Sequence, residues 1–207
     1  MLTQRSATWA AGWLAANSQE MTARITRLGA LALAGPLIKG GFMDASTGSR
    51  AIWMPLRGMS EDRLRVLCEE YAATWLLDAV TEEGLDLVRH ARDGGHQIVL
   101  ISDHLEPLVR PLADRLEADA LFANRMELRS GRATGRLIEP VIARFGGQQL
   151  LDYAATHDLD LAGSLAYGAY AQDATFLAKM GRPCAVRPDR ALRQIAKDLS
   201  WPVVEAR

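Results

Sequence analysis

Cysteine is scarce in this chain: 207 residues contain two, Cys68 and Cys184. Two are too few for a disulfide framework, and no Cys/His spacing resembles a zinc site. A reducing, cytoplasmic setting is the expectation. Charge of one sign is also missing. Lys and Arg number 24 against 25 Asp and Glu, a net charge of -1. That balance leaves no footprint for nucleic acid or an acidic surface. Long apolar runs are absent. The most apolar stretch, "LGALALAGPLI" (28 to 38), has 11 residues, whereas a membrane span needs about 20. The opening "MLTQRSATWAAGW" lacks the basic-then-apolar order of a signal peptide. Internal repeats and low-complexity tracts are absent as well.

What is present suits one globular domain, or a core plus a smaller cap: 49% of the residues are hydrophobic. The first eighty residues read as helical. Ser6 is a candidate N-cap, and Trp9 and Trp13, four apart, share a helix face. "MSEDRLRVLCEEYAATWLLDAV" (59 to 80) is the clearest helix, with Glu61 and Asp62 in its first turn and an apolar stripe of Leu64, Leu67, Tyr71 and Leu77. Gly40-Gly41, Gly48 and Pro55 to Gly58 punctuate this half.

After residue 84 the pattern changes. A helix ends at Gly94-Gly95, and "HQIVLIS" (96 to 102) reads as a buried strand. A helix, "LEPLVRPLADRLEA", and a short strand, "DALFAN", follow. "MELRSGRATGRL" reads as a hairpin turning at Ser130-Gly131. Then come a helix "GGQQLLDYAATHD", a strand over 159 to 168, a helix "DATFLAKMG", a strand "RPCAVRPD", a helix "RALRQIAKDL" and a last strand "PVVE". Such alternation predicts an α/β fold, a three-layer Rossmann-like parallel sheet with helices on both faces. Ligands bind such sheets at the carboxyl ends of strands. Those ends are Ser102, Asn124 and Gly168.

Three stretches then carry a resemblance. They are "GHQIVLISDHLEPLVRPLADRLEADALFANRMELRSGRATGRL", "LDLAGSLAYGAYAQDATFLAKMGRPCAVRPD" and "RALRQIAKDLSWPVVE". Together they resemble the haloacid dehalogenase-like superfamily, in its phosphoserine phosphatase-like branch with a helical cap. The resemblance implies a cap region over residues 1–80 and an α/β core over 81–207. It implies phosphomonoester hydrolysis through an aspartyl-phosphate, assisted by magnesium. Ser102 matches the phosphate-binding hydroxyl. Asp173 matches the second Asp of the fourth motif, usually G-D-S-x-x-D. The first Asp of that motif, a magnesium ligand, falls on Ala169, and the neighbouring Ser falls on Tyr170. The third motif's lysine falls near Gly147 or Gln148, and no lysine lies between Lys39 and Lys179. The first motif, an apolar strand ending D-x-D, is absent, with Leu2-Thr3 as its last trace. In the family that strand lies mid-sheet, so its loss implies a gap, a substitute segment or exposed strand edges.

The expectation is therefore a family member impaired in catalysis, with no metal or cofactor held by this chain. Its residual site is Ser102 and Asp173, with Asp103, His104 and Gly168 beside the substrate. Two alternatives stay open: an active hydrolase with a rearranged site, and a non-catalytic interaction protein. A phosphorylated small molecule, a protein partner or a second copy are the partners left open; nucleic acid and a membrane span are not expected. Ser102-Asp103-His104 is not expected to form a triad, because adjacent strand residues point to opposite faces. Asp103 is read instead as a helix N-cap, and Asp173 as the cap of "ATFLAKM". Asp44 is read as a loop or capping residue rather than a nucleophile.

Overall fold

A computed structural model describes residues 6–17, 29, 51–138, 140–141 and 144–205, with the side chains of 144–146 outside that description. The apolar run 28 to 38, Asp44 and Leu2-Thr3 lie outside the described residues. The first helix, α1 (Ala7–Ala16), starts where expected: Ser6 Oγ accepts from Trp9 N–H at 3.3 Å. Its two tryptophans share a face and meet one partner. Trp9 and Trp13 lie 5.5 and 5.6 Å, centroid to centroid, from the Tyr71 ring, within the range of favourable aromatic pairs.

A short 3-10 turn (Met54–Leu56) precedes α2 (Glu61–Tyr71), which Ser60 caps through Arg63 N–H. Leu64, Leu67 and Tyr71 are buried, but the expected Leu77 is not the next member of the stripe. A π turn over Ala72–Leu76, closed by Leu77 N–H on the Ala72 carbonyl, inserts an extra residue. The buried face therefore continues at Leu76, five residues after Tyr71. Helix α3 (Glu82–Asp93) is capped by Thr81 and ends at Gly94.

Strand β1 (Val99–Leu105) starts later than the apolar pattern indicated and runs on through Asp103 and His104. Helix α4 (Glu106–Arg115) leads into β2 (Ala120–Arg129), which is parallel to β1. Strand β3 (Arg132–Ile138) returns antiparallel. Ser130 (φ 49°) and Gly131 (φ 69°) make the expected tight turn between them, two positive φ values suiting the twist of a two-residue hairpin. "DALFAN" and the first arm of the hairpin are thus one continuous strand.

Helix α5 (Arg144–Thr156) opens the last third. Strand β4 is only Leu165–Gly168, because residues 159–164 fold into turns around Asp160. A 3-10 turn (Ala171–Asp173) runs into the single-turn α6 (Ala174–Leu177). Strand β5 (Arg182–Val186), α7 (Arg190–Asp198) and β6 (Val203–Val204) complete the order, with β4, β5 and β6 all parallel. The fold is α/β with parallel strands and flanking helices, as the alternation predicted.

The strands form two separate three-stranded sheets, β1-β2-β3 and β4-β5-β6. Among the described residues β1 pairs only with β2, and β4 only with β5. The chain divides into two compact units, Leu2–Pro140 and Val141–Arg207. Residue 80 marks a change in element type, and residue 140 a change in packing. The first unit buries Trp53, Leu56, Leu67, Leu105 and Leu108. The second is built on Ala166, Leu177, Ala185, Leu192 and Ala196, with Trp201 packed against them.

Burial, and secondarily the Glu69 charge, pushes the Cys68 thiol from 9.0 up to about 12. The unfolded thiol ionises first, so stability is full below about pH 9 and is lost as pH rises towards the folded value. The urea midpoint should fall from pH 8 to pH 10.5, and should fall less in Cys68→Ala, after correction for that variant's lower stability at pH 8.

Candidate functional site

Two loci carry the residues that the sequence singled out, one in each unit. The first is the carboxyl end of β1. Pairing with β2 is regular from Val99 to Ser102 and then shifts, so that Leu105 faces Asn124. This irregularity breaks the alternation of strand side chains. Ser102 Oγ lies 3.2 Å from His104 Nδ1 and accepts from His104 N–H at 3.2 Å. Asp103 Oδ1 lies 3.3 Å from the same Nδ1. The expectation that these three side chains stay apart is therefore corrected: the bend brings them together.

The contact is still not a relay. In a Ser-His-Asp triad the hydroxyl meets one ring nitrogen and the carboxylate the other. Here both crowd Nδ1. His104 is 6% exposed, and its Nε2 is buried with no hydrogen-bond partner among the described residues. Asp103 does not cap the next helix either. The N-cap of α4 is Leu105, without a side-chain bond, and Pro107 lies in the first turn. Glu106 adds a negative charge at that helix start, which weakens it as an anion cradle.

Asn124, fully buried, holds the bend by donating Nδ2–H to the Asp103 carbonyl at 2.6 Å. The sequence marked it as a strand end and missed this role. A polar residue closing the apolar run "DALFAN" was the available signal.

The second locus follows β4. Gly168 is required by close approach: a Cβ there would lie 2.7 Å from Asp173 Cβ and 2.9 Å from Leu177 Cδ1. Asp173 Oδ2 accepts from Ala169 N–H at 2.7 Å and Tyr170 N–H at 2.9 Å. Its side chain thus reaches back over the loop, and the expectation that it caps the following helix is corrected, since α6 has no side-chain cap bond. Ala169 is buried and Tyr170 is 43% exposed. Asp189, which the sequence reading did not single out, supports the same loop. Its Oδ2 accepts from Ala171 N–H at 3.2 Å while its Oδ1 caps α7 through Leu192 N–H at 2.7 Å.

In the same unit Lys179 lies against the start of α5. A Cβ on buried Gly147 would lie 3.7 Å from Lys179 Cε. The side chain passes over α5 from the segment after α6, thirty-two residues away in the chain.

With this geometry in view, the comparisons are decisive for the family. A model of the haloacid dehalogenase-like hydrolases matches residues 3–178. The chain belongs to that family. It is 28% identical to the inhibition of morphological differentiation protein of Streptomyces azureus, over 72% of this chain and 54% of that one. It is 26% identical to the phosphoserine phosphatase SerB1 of Mycobacterium tuberculosis, over 79% of this chain and 54% of that one. The chain thus spans about half the length of these curated relatives. A solved Bordetella pertussis protein of unknown function shares the fold with a TM-score of 0.82 at 23% identity, covering 98% of this chain and 93% of that one. The haloacid dehalogenase-like chain has no helix among its described residues long and apolar enough to cross a membrane.

Asn124→Ala should cost about 1–3 kcal/mol, the range for leaving a buried acceptor without its donor. Asn124→Asp should not rescue it, because a carboxylate cannot donate to the Asp103 carbonyl. Urea unfolding of both variants checks this.

Proposed function

We propose that this haloacid dehalogenase-like chain binds a phosphorylated small molecule at the carboxyl end of β1 and has little or no phosphomonoesterase activity. The observation that carries the reading is the loop after β4. Ala169 stands where the resemblance places a magnesium-binding carboxylate, and a methyl group cannot ligate. The Asp173 carboxylate is engaged by two backbone N–H groups of the same loop. Among the described residues no group of three or more His, Cys, Asp or Glu could hold a metal ion. These residues do not fit the magnesium ion that the resemblance implies.

Binding is another matter. Ser102 has a half-buried hydroxyl at a strand end, held by a backbone N–H and positioned to donate to an anionic oxygen. Asn124 fixes the backbone beneath it. The phosphatase name of the Mycobacterium tuberculosis relative supports a phosphomonoester as the ligand class.

A second reading, a hydrolase with a rearranged site, has one observation behind it: the Ser102–His104 contact at 3.2 Å. The placement of Asp103 on the same nitrogen argues against it.

The test is turnover of an aryl phosphate and of phosphoserine, with and without magnesium, beside orthophosphate binding. The expected result is no turnover above the Ser102→Ala background, with saturable phosphate binding weakened about tenfold in that variant. Magnesium-dependent turnover abolished in both Ser102→Ala and Asp173→Ala would overturn the binding reading. Metal-independent turnover lost in His104→Gln would establish the second.

A further inference from the structure

Residues 102 to 104 put a hydroxyl, a carboxylate and an imidazole on three consecutive positions. The pairing shift after Ser102 turns the first two onto one nitrogen of the third. His104 Nδ1 has Ser102 Oγ at 3.2 Å and Asp103 Oδ1 at 3.3 Å. A neutral imidazole carries its proton on one nitrogen and a lone pair on the other. Which nitrogen holds the proton follows from what each one faces.

Both ends of the ring give the same answer. A carboxylate oxygen 3.3 Å from Nδ1 attracts an N–H there and repels a bare lone pair. The imidazole side chain is 8% exposed and the Asp103 side chain 29%, so water screens the pair only in part. At the other end, Nε2 is buried and meets no hydrogen-bond partner among the described residues. A proton on Nε2 would leave two faults: a buried donor without an acceptor, and a lone pair facing a carboxylate. A proton on Nδ1 leaves one, a buried lone pair at Nε2.

We propose that Asp103 holds His104 in its Nδ1–H form, and that this form makes the Ser102 hydroxyl an obligate donor to a bound oxyanion. The inference rests on the phosphate reading of Ser102 and specifies what that hydroxyl recognises. Ser102 Oγ accepts from the His104 backbone N–H at 3.2 Å. With the ring proton on Nδ1, the same oxygen faces a second N–H at 3.2 Å. A hydroxyl has two acceptor sites and one donor. Both acceptor sites are then engaged within the strand end, and the O–H is left for a ligand. With the ring proton on Nε2, the hydroxyl would instead turn inward and donate to Nδ1. The matching ligand atom is an acceptor without a proton, as on an ionised phosphoryl group. Asp103 and His104 are positioning residues in this arrangement, because they act through Ser102.

Nitrogen NMR of the full chain with isotope-labelled histidines reads the ring directly, at about pH 8, where an imidazole is ordinarily neutral. Nitrogen shifts tell an N–H nitrogen from a bare one, and His104→Gln identifies the relevant signals by removing them. The expected result is a protonated Nδ1 and a bare Nε2. A proton on Nε2 in the native chain would overturn the proposal. Asp103→Asn should move part of the population to the Nε2–H form, since an amide pulls on the ring proton less than a carboxylate does. Orthophosphate binding should then weaken about fivefold. Removing a negative charge beside an anion site would by itself tighten binding, so equal or tighter binding in Asp103→Asn would also overturn the proposal. If orthophosphate does not bind the native chain while Nδ1 carries the proton, the phosphate reading of Ser102 fails and the Asp103–His104 assignment stands.

Discussion

The reach of the Asp173 carboxylate back to Ala169 and Tyr170 governs the loop after β4. One oxygen accepts from two consecutive N–H groups, and charge-assisted bonds of this kind are among the stronger ones a loop can make. Gly168 makes room for it, because any Cβ would strike Asp173 and Leu177. Asp189 fastens the next residue, Ala171, and the start of α7 in the same motion. The loop therefore keeps a tight shape in a chain where the expected metal-binding carboxylate is Ala169. Architecture and chemistry separate here: an Asp that the motif resemblance associates with catalysis is engaged in holding backbone.

A related economy operates at β1. The bend after Ser102 costs regular pairing but gives its hydroxyl a backbone donor and its neighbour's carbonyl a buried amide, Asn124. The bend also gathers Ser102, Asp103 and His104, three residue types that invite a catalytic interpretation. Their arrangement on one imidazole nitrogen, rather than on both, decides what they can do. Among the described residues the far nitrogen of that ring, Nε2, meets no hydrogen-bond partner.

The family was legible in the sequence because its signature lies in runs: the strand ends, the hairpin glycines and the "GRPCAVRPD" segment each occupy consecutive positions. Element types followed from periodicity for the same reason. Boundaries were less legible. The 159–168 segment has a strand's apolar content, but Asp160 draws Ala162 N–H and the Ser164 hydroxyl into turns and leaves only Leu165–Gly168 extended. The stripe on α2 changed phase at the π turn, where an i→i+5 bond replaces the helical one. No residue pattern announces that insertion.

By itself, the sequence determined the α/β order, the parallel pairing, the hairpin turn at Ser130-Gly131 and the membership in the haloacid dehalogenase-like family. These depend on local propensity and on short spacings along one chain. Tertiary structure alone decided the partners of the side chains. It placed Lys179 over Gly147 and Asp189 under the β4 loop. Such contacts join segments as much as thirty-two residues apart, and a side chain's hydrogen-bond partner is fixed by packing in three dimensions, which no local period encodes.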